Sequence, residues 1–389
     1  MKIKALAAAA IAASTLVMGA GVAHADAPAG SGWDDVLDNI KGGGSDTTYN
    51  IMQRVGVLYN QGLGCEQNTT YVAGNPATAN TYGNCIAPAN NATDIKGNWD
   101  HDVTSEEYPT GSSAGILELL AGTVDYARSS RTPKSSGESG TTFWAYGKDG
   151  IVIETWGNRA AGNLTKAQLQ GIYNCTITTW DQITGDPADA TQVIEPVGMN
   201  SSSGTYATFQ SYLGFAPNNG ACVKKLDDPD GAGPQAAIYP LENDLKPVIA
   251  ATGINDNNAI WWGSWANYRA FSYKRQTAVA WTVDSKTISA ATVSNNTWPI
   301  TRFIYHVTKT ADASPDAATD NVLGADTGKG GAVREFTEFI CKSSANHTAN
   351  EFSGLSNYDE LTQIYSATGF IRVPSVERTN GICKVVAAP

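Results

Sequence analysis

Residues 193–213, VIEPVGMNSSSGTYATFQSYL, decide which kind of fold this chain can adopt. Val193 to Val197 is a short apolar run that predicts a strand. A turn of small polar residues follows, Asn200-Ser201-Ser202-Ser203-Gly204-Thr205, and Thr205 to Leu213 predicts the helix after it. A strand that hands over to a helix through such a turn is the building unit of an α/β protein.

The same alternation extends outward in both directions. Thr47 to Tyr59 predicts a helix, with Ile51, Val55 and Leu58 at helical spacing. Gly115 to Leu120 opens another after a Ser-rich turn, and Gly150-Ile151-Val152-Ile153 is a buried-strand pattern. Leu164 to Tyr173 predicts a helix introduced by Asn163, with Thr165 and Gln168 near its start. Ala278 to Trp281 and Arg302 to Val307 predict strands, and Val333 to Cys341 a late helix. No internal repeat and no long linker interrupts the series. Residues 62–103 differ, being rich in Asn, Thr, Gly and Pro; they read either as a disulfide-tied surface insertion or as an ordinary long loop.

The chain has 389 residues, 42% hydrophobic and 16% charged, which excludes a disordered polymer. Its 26 Lys+Arg against 37 Asp+Glu leave a formal charge of −11, with no basic surplus for nucleic acid. Lys2 and Lys4 precede an apolar run from Ala5 to about Val22, and Ala23-His24-Ala25 is a small-x-small site. The expectation is a signal peptide at 1–25 cleaved after Ala25, giving a secreted protein, extracellular or periplasmic. No Cys stands at the cleavage site to carry a lipid anchor.

Six cysteines, Cys65, Cys85, Cys175, Cys222, Cys341 and Cys383, favour disulfides in an exported chain. Several pairings are open; pairing neighbours (Cys65–Cys85, Cys175–Cys222, Cys341–Cys383) closes the shortest loops. No CxxC occurs and His is scarce, so neither a metal site nor a cofactor is expected.

Three turns share one grammar. They are Gly43-Gly44-Ser45-Asp46-Thr47-Thr48, Thr110-Gly111-Ser112-Ser113-Ala114-Gly115 and the turn at Asn200–Thr205. Each offers hydroxyls and free backbone N–H groups at a helix N-terminus, which is the physical recipe for holding an anion. Any one alone reads as ordinary capping; three in one chain point to a shared ligand cleft. The candidates are Thr47, Thr48, Ser112, Ser113, Ser203, Gly204 and Thr205. A fourth segment, Asp125-Tyr126-Ala127-Arg128-Ser129-Ser130-Arg131, adds guanidinium groups suited to oxyanions, or else is a solvated turn. Trp261-Trp262-Gly263-Ser264-Trp265 reads as core packing more readily than as a stacking platform. Glu106-Glu107 and Asp227-Asp228 read as solvated faces. No G-x-S-x-G elbow, P-loop or H-E-x-x-H occurs, so the chain is read as non-enzymatic.

Several of these stretches, in order, resemble the phosphate-binding component of bacterial ABC phosphate transporters. Gly44 to Tyr49 resembles that family's first anion-binding turn, and Gly111-Ser112-Ser113-Ala114-Gly115 its second. Thr123 to Ser130 (TVDYARSS) is similar to its TVDFGASD segment, and Leu164 to Trp180 (LTKAQLQGIYNCTITTW) to its LTGxxLxxIYxGxIxxW stretch. Ser203-Gly204-Thr205 resembles its Ser-Gly-Thr turn, and Asn296 to Tyr305 (NTWPITRFIY) the strand that crosses back between domains.

The resemblance implies a two-lobed type II periplasmic-binding-protein-like fold with a ligand cleft between lobes. Lobe I would be discontinuous, about 33–148 plus 298–389, with the insertion at 62–103, and lobe II would be about 149–297. It also implies capture of phosphate or a phosphate-like anion by a monomer, delivery to an ABC transporter permease, and Ser130 and Arg131 as further site residues. Two positions depart from the family. Ser130 stands where it has an Asp that accepts the proton of monohydrogen phosphate, and Met199 where it has an Arg. Arg128 or Arg131 would then supply the positive charge. The rival expectations are the same fold around a less charged, or an organic phosphorylated or carboxylated, ligand; a secreted protein not coupled to transport; a secreted hydrolase; and an adhesion protein.

Overall fold

The computed structural model describes residues 42–58, 111–134, 137–157, 159–225, 242, 257–270, 278–311, 328–341, 356–379, 381 and 383–389. The signal-peptide and insertion readings, Cys65, Cys85, Glu106-Glu107 and Asp227-Asp228 lie outside the described residues.

In chain order, the first part holds β1 (Gly42–Gly44), α1 (Tyr49–Leu58), α2 (Ser112–Ala121), β2 (Tyr126–Ser129) and β3 (Thr141–Thr155). Next come β4 (Asn163–Leu164), α3 (Lys166–Tyr173), α4 (Asp181–Thr184), β5 (Glu195–Pro196) and α5 (Gly204–Leu213). Then follow β6 (Ala259–Ser264), α6 (Trp265–Ala270), β7 (Val279–Ala280), β8 (Thr282–Val283) and α7 (Ala290–Ser294). The last are β9 (Thr301–Lys309), α8 (Gly328–Cys341), α9 (Asn357–Thr368), β10 (Ile371–Arg372) and β11 (Lys384–Ala387).

The main sheet runs β1-β2-β9-β3-β6-β5, with β7, β10 and β11 also pairing with β3. β3 organises it. Its 15 residues are all buried, and at about 3.3 Å per residue they span roughly 50 Å. From Thr141 to Gly150 it pairs with β9, and from Ile151 to Thr155 with β6. One strand therefore runs through two differently built regions.

Side-chain packing follows the same division. One apolar cluster is drawn from residues 151–300 and includes Trp156, Trp180, Trp261, Trp262, Trp281 and Trp298. Two others join residues 51–146 to the C-terminal part, around Tyr126, Trp144 and Phe336 and around Ile116, Phe143 and Val307. Trp261 and Trp262 are fully buried, which fits their reading as core.

Several elements differ locally from the sequence expectation. Thr165, not Asn163, caps α3: its hydroxyl accepts from Gln168 N at 3.1 Å, and Gln168 Oε1 accepts from Thr165 N at 2.9 Å. Asn163 is used instead in the short ladder of β4 with β8. The Val193–Val197 run keeps ladder pairing only at Glu195–Pro196, with single bridges from Val193 to Thr179 and from Val197 to Lys224. Pro196 has no N–H to continue a ladder. Ala278 to Trp281 shrinks to Val279–Ala280. Two disulfides match the neighbour pairing: Cys175–Cys222 and Cys341–Cys383, with Cα–Cα distances of 5.8 and 5.2 Å.

Candidate anion site

The three turns meet where the two regions touch. Gly44, at φ 117°, takes a backbone conformation that side chains disfavour. It lets the first turn lie against β2, where Ser45 N donates to Arg128 O at 3.0 Å. Gly111 N donates to Gly44 O at 3.1 Å, and Ser113 N to Ser202 O at 3.3 Å, which ties the second turn to the first and third. Gly204 completes the junction. A Cβ there would fall 2.3 Å from Ser130 Oγ and 2.4 Å from Ser112 Oγ.

A chain of buried hydroxyls fills this junction. Ser45 Oγ donates to Ser130 Oγ at 2.9 Å, and Ser130 Oγ to Thr47 Oγ1 at 3.3 Å. Ser112 Oγ accepts from Ser130 N at 3.0 Å, and Thr47 Oγ1 lies 3.0 Å from Thr205 Oγ1. Thr47 and Thr205 both donate to Glu242 Oε2, and Ser264 N donates to Glu242 Oε1.

The positive charge comes from β9. Arg302 Nη1 donates to Thr205 Oγ1 at 2.6 Å and to Ser130 O at 3.3 Å. Its Nη2 lies 2.7 Å from Asp149 Oδ2 and 3.7 Å from Glu242 Oε1. Asp149 sits opposite Arg302 in the β3–β9 register, and its Oδ1 accepts from Ala266 N at 3.0 Å. This leaves the guanidinium fixed between a structural carboxylate and the hydroxyl cluster.

Of the residues expected from sequence, the structure brings together Thr47, Ser112, Ser130, Gly204 and Thr205. Thr48 Oγ1 donates to Ser45 O within its own turn, at 3.3 Å. Ser203 caps α5, its hydroxyl accepting from Thr205 N at 3.1 Å. Ser113 stands to one side, accepting from Arg131 Nε at 3.2 Å and from Lys134 Nζ at 3.1 Å. Arg131 is engaged by Glu138, with Nη1 to Oε2 at 3.2 Å. Arg128 supports the first turn from behind, donating to the carbonyls of Gly42, Gly44 and Ser45. The charge expected from Arg128 or Arg131 is thus beside other groups, because Glu138 and the turn carbonyls claim those guanidiniums. Met199 is fully buried in an apolar cluster.

Ser45, Asp46, Glu242, Asp149 and Arg302 were missed. Arg302 had a legible signal, a lone cation inside the apolar run of Arg302 to Val307. Glu242 had none, since it lies in a stretch of mixed polarity without a motif.

Glu242 is fully buried, and its backbone N donates to Asp46 Oδ2 at 2.9 Å. Burial, aided by Asp46 and opposed by Arg302, pushes its carboxyl up to about 7. A carboxyl raised in the fold contributes stability that is complete below its unfolded value near 4.5 and is lost as pH rises through about 7. Urea midpoints of the wild type are therefore expected to fall relative to Glu242→Gln across that window. A difference that stays constant with pH would contradict it.

Chemically, the junction offers short donors and one fixed cation around a carboxyl group, a geometry suited to an oxyanion. Among the described residues no group of three or more His, Cys, Asp or Glu could hold a metal ion, and no helix is long and apolar enough to cross a membrane.

A long strand shared by two α/β regions, with helix N-termini meeting between them, defines a two-lobed protein of the type II periplasmic-binding-protein class. The sequence matches the family described as the PBP superfamily domain over residues 29–343, and the chain belongs to that family. Its fold is similar to that of a putative phosphate ABC transporter substrate-binding protein with bound phosphate from Clostridium perfringens. That structure is 19% identical and has a TM-score of 0.51; the match covers 86% of this chain and 100% of that one. An ABC-type phosphate transport receptor from Vibrio cholerae is 20% identical over 86% of this chain and 99% of its own, with a TM-score of 0.48. PstS from Borrelia burgdorferi is 18% identical over 87% and 100%, with a TM-score of 0.43. At these identities the likeness is one of fold. No curated protein matches the sequence.

Proposed function

We propose that the protein is an exported, non-enzymatic solute-binding protein that captures phosphate or a phosphate-like oxyanion between its lobes. The observation that carries this reading is the donor set of Thr47, Thr205 and Ser264 N, closed around a carboxylate beside Arg302. Donors that hold one oxyanion-type group in a water-free junction can hold another. Lobe I comprises about 33–148 plus 298–389, and lobe II about 149–297, so β3 carries the first crossing and the segment leading into β9 the second. Closure of the lobes on the ligand brings α5 and its Ser203-Gly204-Thr205 turn onto the turns of lobe I.

The chain is released by cleavage after Ala25, works as a monomer and delivers its ligand to an ABC transporter permease. The similar fold of the putative phosphate ABC transporter substrate-binding protein supports this reading. A monoanionic phosphoester is the second ligand class. It is favoured by Glu242, which offsets part of the charge of Arg302, and by Ser130, whose hydroxyl can donate as well as accept.

Isothermal titration of anion-depleted protein with phosphate, sulfate, a small phosphomonoester and acetate tests the reading. Micromolar or tighter binding of phosphate supports the first ligand class. Binding of the phosphoester alone supports the second, and binding of acetate alone contradicts both. Binding of none removes the proposal.

A further inference from the structure

The hydroxyl chain of the junction has a direction. Ser45 donates to Ser130, Ser130 to Thr47, and Thr47 to Glu242; from the other side Arg302 donates to Thr205, and Thr205 to Glu242. A hydroxyl has one proton to give. Both threonine protons are therefore spent on Glu242 Oε2, and Oε1 takes the amide proton of Ser264. Glu242 is fully buried, and above about pH 7, where its carboxyl ionises, the carboxylate is held by these donors and by Arg302. A carboxylate presents two oxygens much as one edge of a tetrahedral oxyanion does.

We infer that Glu242 is a built-in occupant of the anion cradle, so that a free oxyanion binds only by displacing its carboxylate from Thr47, Thr205 and Ser264. This rests on the reading above that the cradle takes oxyanions, and it adds the residue that sets their affinity. The wild-type protein then binds oxyanions in competition with its own side chain, and affinity reflects the difference between two anions rather than the full strength of the donors. A solute with a single weak oxyanion group gains least, because it offers the donors nothing that Glu242 does not already provide. The residue thus acts as a specificity filter against carboxylates.

The test compares the full-length wild type with Glu242→Ala and Glu242→Gln, titrated with phosphate and with acetate, and melted with and without acetate. Glu242→Ala is expected to bind phosphate at least about tenfold tighter than the wild type, a change of about 1.4 kcal/mol. It is also expected to gain acetate binding, seen as heat and as a raised melting temperature, while the wild type shows neither. Glu242→Gln, which keeps the shape without the charge, should fall between the two for phosphate, and it decides the matter if the Ala variant does not fold. Where the wild type binds phosphate, unchanged or weaker phosphate binding by the folded variants overturns the inference and leaves the proposed function standing. If phosphate binds none of the proteins but acetate binds Glu242→Ala alone, the occupant inference stands and the phosphate reading falls. If folded variants bind neither anion, both fall.

Discussion

Replacing Arg302 by Ala should abolish oxyanion binding and destabilise the protein by about 3–5 kcal/mol, the loss expected when one partner of a buried ion pair is removed. The guanidinium faces two fully buried carboxylates, Asp149 at 2.7 Å and Glu242 at 3.7 Å. Without it both carboxylates lose their closest ion-pair partner in a low-dielectric junction. Thr205 Oγ1 and Ser130 O lose a donor as well. Arg302→Lys keeps the charge but not the planar fork that reaches Asp149 and Thr205 at once, so it should recover only part of either property. Chemical denaturation and phosphate titration of the two variants check this. Wild-type affinity in Arg302→Ala would remove Arg302 from the site.

Gly204→Ala is the second large effect. Its Cβ would lie 2.3 Å from Ser130 Oγ, 2.4 Å from Ser112 Oγ and 2.8 Å from the Ser130 carbonyl carbon. The serine hydroxyls can rotate, but the backbone of Ser130 cannot, so α5 must withdraw from the other two turns. Overpacking of this kind costs about 1–3 kcal/mol. If that cost falls on the closed junction, ligand affinity drops about 5- to 150-fold. Global stability changes less, because α5 keeps its own packing through Tyr206, Phe209 and Leu213. A full loss of stability with unchanged affinity would place Gly204 outside the closing contact.

Much of the architecture was readable residue by residue. Thr165 and Gln168 announced α3, although the capping position had to be moved from Asn163. The Ser203-Gly204-Thr205 turn announced the start of α5, because Ser203 is a strong N-cap and Gly204 allows close approach. The full length of β3 was not readable. The apolar runs Phe143 to Tyr146 and Gly150 to Ile153 are interrupted by Gly147, Lys148 and Asp149, and Lys148, Asp149 and Glu154 look like surface residues. Their burial follows from partners far away in sequence: Lys148 donates to Ser294 O, and Asp149 pairs with Arg302. Nor was α9 expected, because its apolar residues are few and its cap, Ser356 accepting from Asp359 N, is an ordinary signal among many.

The site divides in the same way. Hydroxyl-rich turns before helices are local chemistry, because capping and turn formation depend on neighbours within a few residues. Thr47, Ser112, Gly204 and Thr205 could therefore be named from the linear chain, and Ser130 from the family resemblance. Which charges meet them is a matter of register and packing. Arg302 reaches Thr205 because β9 lies beside β3, and Glu242 reaches Thr47 across 195 residues of chain. No local pattern encodes such distances, since electrostatic pairing in a buried junction is set by where the folded backbone carries each group. Linear order was thus enough to name the donors, but the anion and cation they face were assigned by the three-dimensional fold.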